Sequence, residues 1–262
     1  MREAILGIDI GTSSTKGILF DGAGGEIASA SRDYPFLTPQ PGWVEQDPER
    51  VWAALLDVLA ELSQAAKAGP GCRVLALALA AQGGSIIPAD AAGDPVYPMI
   101  TWLDTRCNAM MKQWYADGTA DRVAALSGWH PFPGLPLPSI AWLKENRPDV
   151  HAAAACYLGP ADFLIRRLTG CLATDLSAAA EMLLVDINEG RWNEALCALG
   201  GVDPAAQAEL GWAGRVIGGI TQAVAERTGL PEGTPVVAGG MDQVCASMAM
   251  GNIVPGRYML ST

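Results

Sequence analysis

Apolar residues along the chain fall into blocks of strand length and helix length separated by small and turn-forming residues. Residues 4–10 (Ala-Ile-Leu-Gly-Ile-Asp-Ile) and 16–20 (Lys-Gly-Ile-Leu-Phe) are two strand-length runs joined by Gly-Thr-Ser-Ser-Thr. Asp21-Gly22 and Gly24-Gly25 supply turns before a third run, 26–31, so the opening predicts a three-stranded antiparallel meander. Asp47-Pro48-Glu49 predicts a helix start, with an aspartate cap and proline at the first helical position. Val51, Leu55, Val58, Leu59 and Leu62 then share one helical face that packs onto a sheet. The wholly apolar run 74–81, after a Gly-Pro-Gly turn at 69–71, predicts a strand covered on both faces. Its end at Gln82-Gly83-Gly84 is expected to be a mouth. Residues of about 102–200 read as helical, with proline-rich breaks at 131–138, and are expected to form an insertion or cap. From Thr234 a second unit is predicted: a buried strand 235–238, a Gly239-Gly240 turn and a small-residue helix from Asp242 to about Met250. The pattern is that of an α/β protein with a central mixed sheet flanked by helices.

Composition narrows what such a protein does. In 262 residues, half of them apolar, 17 basic and 28 acidic side chains leave a formal charge of −11, and no Lys/Arg cluster stands out. A phosphate-backbone partner is disfavoured, so no nucleic acid is expected. The amino-terminal run breaks at Asp9, and no signal peptide or membrane span is expected. Six singly scattered cysteines lack the paired spacing of a zinc site and the density of a disulfide scaffold, which predicts reduced, mostly buried thiols and a cytoplasmic setting. His130 and His151 are the only histidines, and neither lies near a candidate nucleophile.

Two aspartates call for a chemical reason. Asp9 interrupts an apolar strand, where an ionised carboxylate is costly unless a cation or several donors face it. It either caps the turn by binding the Gly11 and Thr12 amides or holds a magnesium ion through water. Gly11, Thr12, Ser13 and Lys16 belong to a hairpin dense in hydroxyls and amides that ends in a cation, a loop able to surround phosphoryl oxygens. It is not a Walker A loop, since it lacks the Gly-Lys-Ser/Thr ending and leads into a strand. Asp242, after the second glycine pair, reads as a helix N-cap, a position that lowers a carboxyl pKa and is compatible with accepting a proton. Trp102 and Asp104 follow a strand-like stretch. An aromatic face beside a carboxylate suits a polyol, but taken by themselves these residues read more readily as a core tryptophan and a helix-capping Asp104 with Arg106 as its salt-bridge partner.

Gly7-Ile8-Asp9-Ile10-Gly11-Thr12-Ser13-Ser14-Thr15-Lys16 resembles the opening phosphate motif of the FGGY carbohydrate kinases, within the actin-like (ribonuclease H-like) ATPase class. Gly42-Trp43-Val44-Glu45-Gln46-Asp47-Pro48, Ile100-Thr101-Trp102-Leu103-Asp104-Thr105-Arg106, Leu168-Thr169-Gly170 with Thr174-Asp175, and Gly229-Leu230-Pro231 leading to Gly239-Gly240-Met241-Asp242-Gln243 follow in the family's order. The resemblance covers essentially the whole chain. It implies an amino-terminal, substrate-binding actin-like lobe over 1–262 of an enzyme that transfers the γ-phosphate of ATP to a sugar or polyol hydroxyl. It further implies Asp242 as the proton acceptor, Asp9 as the Mg2+ aspartate, Gly11, Thr12, Ser13 and Lys16 at the phosphates, and Gln82, Gly83, Trp102, Asp104, Asp242 and Gln243 at the substrate. Some glycerol kinases carry Arg-Glu and xylulokinases Met-His near Gln82-Gly83-Gly84. Here the two glycines are expected to leave space, and no sugar is named by them.

The chain ends at Met259-Leu260-Ser261-Thr262, where the family continues into a carboxy-terminal, nucleotide-binding lobe. With that lobe absent, weak sugar binding, very poor ATP binding and negligible turnover are expected of these residues alone. An exposed inter-lobe face favours self-association, which makes a homodimer an expectation. The alternatives are a non-catalytic sugar-binding or sensing module of the same fold, which has no need of both Asp9 and Asp242, and an actin-like or chaperone-like ATPase, which has no need of a Trp102/Asp104 wall.

Overall fold

A computed structural model describes residues 2–68 and 71–260. The Gly69-Pro70 part of the predicted turn and the terminal Ser261-Thr262 lie outside the described residues. The main sheet has six strands, β1 (Arg2–Ile10), β2 (Ser14–Asp21), β3 (Glu26–Asp33), β4 (Cys72–Ala81), β5 (Val216–Gly219) and β6 (Pro235–Met241), in the order β5-β6-β4-β1-β2-β3. β1, β2 and β3 form the antiparallel meander, β4 lies parallel to both β1 and β6, and β5 closes the far edge antiparallel to β6. The sheet is mixed, and its three central strands, β1, β4 and β6, bring their carboxyl ends to one edge.

Alternation decides which residues of these strands are buried. Leu6, Ile8 and Ile10 of β1 lie beside Leu77, Leu79 and Ala81 of β4, and all six are buried. Against this face packs the Pro48–Lys67 helix, which contributes Val51, Leu55, Val58, Leu59 and Leu62; a side chain of this kind, fully buried, contributes about 1.5–3 kcal/mol. Asp47 caps that helix by accepting the Glu49 amide at 2.9 Å. Gly17 permits the close approach, because a Cβ there would fall 2.6 Å from Val58 and 2.7 Å from Leu62. The opposite face is less covered: Ala76, Ala78 and Ala80 are only half-buried, so β4 is not the strand covered equally on both faces that its composition predicts. Asp9 sits on that half-covered face, directly across from Lys16 of β2. The break in the apolar pattern of β1 is thereby explained without placing a charge in the core.

The middle of the chain builds a second core. Ile86, Ile100, Met111, Val123, Leu137, Ile140, Leu143, Leu183, Leu184 and Leu196 pack together there, chiefly from the helices Asn108–Ala116, Thr119–Ser127, Pro136–Asn146 and Glu194–Gly200 and their connections. The Pro160–Thr169 helix does not join it, but returns Phe163, Leu164, Ile165 and Leu168 to the first core. The proline-rich break of 131–138 is partly a helix start: Pro136 occupies the first turn, where a missing N–H costs nothing. The predicted Gly239-Gly240 turn is not a turn. Both glycines continue β6 through a register shift between Ala238 and Met241, and Gly239 is required because a Cβ there would lie 2.0 Å from the Leu79 carbonyl oxygen.

Candidate active site

Where β1, β4 and β6 end together, the loops that follow them enclose an open cavity of about 260 Å³. Thr12 enters from the β1–β2 hairpin, Gln82, Gly83 and Gly84 from the end of β4, and Met241, Asp242 and Gln243 from the end of β6. Trp102, Trp129, Phe132 and Leu135 supply an apolar side, and Glu181 closes the cavity from the Leu176–Glu181 helix. This is the position at which open α/β sheets bind ligands, outside the carboxyl ends of parallel strands.

The hairpin is held from behind by its carbonyls. Gly11 O accepts from the Tyr34 hydroxyl at 2.7 Å, Thr12 O from Gln46 Nε2 at 2.8 Å, and Ser13 O from the Tyr34 amide at 3.0 Å. The Gly11 amide donates to Ser14 O, whereas the Thr12 and Ser13 amides meet no protein acceptor among the described residues. Ser13 and Lys16 are exposed, and Asp9 lies between the hairpin and Asp242 electrostatically: burial raises its pKa first, Asp242 raises it further, and Lys16 lowers it. Among the described residues Asp9 accepts no amide of the turn, whose own bond is Gly11 N–H to Ser14 O.

Asp242 is the first residue of the Asp242–Ala249 helix, and Met241, not Asp242, is its N-cap. Its Oδ1 accepts the Gln243 amide at 2.6 Å. The helix terminus was expected to lower its pKa; burial prevails and raises it, with the Gln243 amide opposing. Placement of Asp242 depends on a chain of bonds from the far side. Asp175 caps the Leu176–Glu181 helix by accepting the Ser177 amide at 2.8 Å and also takes the Ser177 hydroxyl, whose oxygen in turn accepts the Met241 amide at 3.0 Å.

Trp102 is 42% exposed and donates its indole N–H to Thr12 Oγ1 at 3.1 Å, which ties the aromatic side of the cavity to the hairpin. Gln82 is buried and lines the cavity, its Nε2 shared between Gly11 O at 3.4 Å and Gln46 Oε1 at 3.3 Å. Gln243 is exposed at the rim. Asp104 is the exception among the expected substrate residues. It is 1% exposed and outside the cavity, bound to Arg106 Nε at 2.9 Å and Nη2 at 2.8 Å and to the Val44 amide at 2.6 Å. Arg106 also binds Glu45 at 2.7 Å and stacks its guanidinium 3.9 Å from the Trp43 ring centroid. Burial works against the Arg106 charge, but these carboxylates outweigh it and hold its pKa above the ordinary value. Asp104 is therefore spent on an ion cluster that fixes the loop carrying Trp102, because Arg106 two residues on and the distant Val44 amide claim both its oxygens.

Glu181, Trp129 and Phe132 are cavity residues that sequence reasoning missed. Glu181 is 8% exposed, its Oε2 has no hydrogen-bond partner, and its pKa is pushed up to about 7 by burial first, then by Asp242, with the Gly84 amide opposing. The glycines at 83 and 84 do not leave open space, as their small size suggested. A Cβ on Gly83 would fall 1.3 Å from Glu181 Oε2, and Gly84 has a left-handed backbone (φ 71°) against Trp102. The signal for Glu181 was the glycine pair itself, which made room for a side chain from elsewhere.

Comparison with known proteins accounts for this arrangement. Residues 4–249 match the amino-terminal domain model of the FGGY family of carbohydrate kinases. The xylulose kinase of Lactococcus lactis subsp. lactis is 34% identical over 249 residues, 95% of this chain and 49% of that protein. The gluconokinase of Bacillus subtilis is 27% identical over 261 residues, all of this chain and 50% of that protein. The crystal structure of xylulose kinase from Rhodospirillum rubrum superimposes with a TM-score of 0.91 at 30% identity, over 97% of this chain and 52% of that one. The chain thus spans about half the length of the relatives it matches, always their amino-terminal half. It belongs to the FGGY family of carbohydrate kinases and is an N-terminal lobe of that family.

Proposed function

We propose that this lobe binds the sugar or polyol in an enzyme that transfers the γ-phosphoryl group of ATP to a substrate hydroxyl, with Asp242 as the group that receives the hydroxyl proton. The observation that carries the reading is Asp242 itself, in the same cavity as Trp102, Gln82 and Thr12 and electrostatically coupled to Asp9. Burial raises its pKa, against the opposing Gln243 amide, and so makes it a better base than an exposed aspartate. The free amides of Thr12 and Ser13, with Gly11 and Lys16, suit phosphate oxygens on the β1 side. Trp102 offers a face to substrate C–H groups, and Gln82 and Gln243 offer polar partners to hydroxyls.

Magnesium fits this donor set. Burial and Asp242 both disfavour an ionised Asp9, so a cation beside it is stabilising. Among the described residues no three His, Cys, Asp or Glu side chains gather as a metal cage. That suits an ion that takes one or two carboxylates and completes its shell with water and phosphates. When bound, it supplies charge neutralisation to the transferring phosphates. Six free cysteines support a reducing, cytoplasmic setting, and among the described residues no helix is long and apolar enough to cross a membrane. The Asp242–Ala249 helix buries none of its side chains, with Val244 and Met248 exposed, which suits the face as a seat for a carboxy-terminal lobe or a second copy in a homodimer.

The test is Asp242→Asn in the complete polypeptide that carries this chain. We expect kcat to fall by about 10²–10⁴ with substrate binding retained. In the wild type kcat should rise with pH through the raised Asp242 pKa and level off above it, because the base acts ionised. Wild-type turnover in the variant refutes the role of Asp242; polyol binding with no ATP-dependent phosphorylation by the wild type makes this a non-catalytic sugar-binding module.

A further inference from the structure

Glu181 has no part in the reaction above, yet it is the more deeply buried of the two carboxylates in the cavity. It is 92% covered, one oxygen has no partner, and its carboxylate fills the place where a side chain at position 83 would project. An acceptor left unpaired at a cavity wall calls for a donor that the protein does not supply. The charges around it limit what that donor belongs to. The cavity is lined by Glu181 and Asp242 and by no Lys, Arg or His, and Asp175 adds to the negative potential at Glu181. A carboxylate brought in by a ligand would meet two like charges and no counter-charge.

We infer that Glu181 selects the substrate, its carboxylate accepting hydroxyls of an uncharged polyol or ketose and turning away sugar acids. The inference rests on the reading of this cavity as the sugar site. Position 83 has surrendered its own side chain so that the contact comes from the opposite wall. Glu181 is a specificity residue, and Asp242 remains the proton acceptor. The two functions are separated by the Leu176–Glu181 helix, which holds the Met241 amide, next to Asp242, through Ser177 near its start and reaches the substrate through Glu181 at its end.

The experiment measures binding by calorimetry, and phosphorylation with ATP and magnesium, on the complete polypeptide at pH 8, where Glu181 is ionised. The panel contains pentuloses, hexuloses, uncharged polyols and aldonates. The wild type should prefer its best uncharged ligand to the matching aldonate by about 100-fold or more, the scale set by like charges in a desolvated site. Glu181→Gln, which keeps shape and removes charge, should weaken the uncharged ligand by about 10- to 100-fold, the span of one or two charge-assisted hydrogen bonds, and shrink the preference. Gly83→Ala should shift the preference the same way by pushing the carboxylate aside. An aldonate bound as well as its uncharged counterpart, or a preference unchanged in both variants, overturns the assignment of Glu181 and leaves the kinase reading standing. Selective polyol binding without phosphorylation does the reverse, supporting Glu181 and refuting the kinase. Binding of no panel member overturns both.

Discussion

If Glu181 is kept for ligands, its ionised form should weaken the fold that holds it, and Glu181→Gln should gain stability relative to wild type as pH rises while lowering affinity. Its pKa stands at about 7 against an ordinary 4.5. At about 1.4 kcal/mol per pH unit, a rise of that size costs the folded, ionised protein about 3 kcal/mol. The sign follows from proton counts. Between pH 4.5 and 7 the native state holds the Glu181 proton more tightly than the unfolded chain, so stability falls as pH rises through that window and is level above it. Glutamine carries no such dependence. It does bury an amide without guaranteed partners, at about 1–3 kcal/mol, but that cost is the same at every pH. The decisive quantity is therefore a double difference: the stability of Glu181→Gln minus wild type, at pH 8 relative to pH 4. It should be positive and near 3 kcal/mol, with contributions from Asp9 and Asp242 largely common to both proteins. Urea denaturation followed by circular dichroism gives each value, and in thermal melts the change should amount to about 6–12 °C. A double difference near zero would refute the reasoning, since it would mean that the carboxylate finds partners in the folded state.

Two further outcomes test the supports of the site. Arg106→Met leaves Asp104 and Glu45 buried without their cation and should cost about 3–5 kcal/mol in chemical denaturation; a loss below 1 kcal/mol would show that the cluster is not what fixes the Trp102 loop. Ser177→Ala removes the acceptor of the Met241 amide, so kcat should fall about tenfold or more with KM little changed, and a rise in KM alone would argue against a positioning role.

The parts of this fold that were legible in the sequence are those in which cause and consequence are close along the chain. The meander follows from two short apolar runs and a third of alternating small residues with glycine-containing turns between them, and the Pro48–Lys67 helix from Asp47-Pro48 and a five-residue apolar face. Asp9 and Asp242 stood out because each interrupts or ends a strand. What failed were readings that needed a partner from another part of the chain. Gly239-Gly240 looks like a turn until the Leu79 carbonyl is placed beside it. The Asp104–Arg106 salt bridge was legible because it is local, but the Val44 amide and Glu45, which complete the cluster and hold Asp104 away from the cavity, come from a distant segment. Glu181 follows three alanines at a helix end, where a charge usually meets solvent, and only the distant glycine pair shows that it points inward.

The electrostatics of the edge formed by β1, β4 and β6 then have a common logic. Asp9, Asp242 and Glu181 all have pKa values raised by burial, and of the three only Asp9 has a lysine acting on it. Carboxylates kept only for stability would be paired within the protein, as Asp104 and Glu45 are with Arg106. On the proposed reading these three would be completed from outside: Asp9 by a cation, Asp242 by a hydroxyl proton, Glu181 by hydroxyl donors. A site built in this way is least stable when empty and gains from each ligand that brings positive charge or a donor. Ligands of both kinds should therefore bind more tightly together than apart, because each relieves repulsion that the other also feels through Asp242, the carboxylate that raises the pKa of both Asp9 and Glu181.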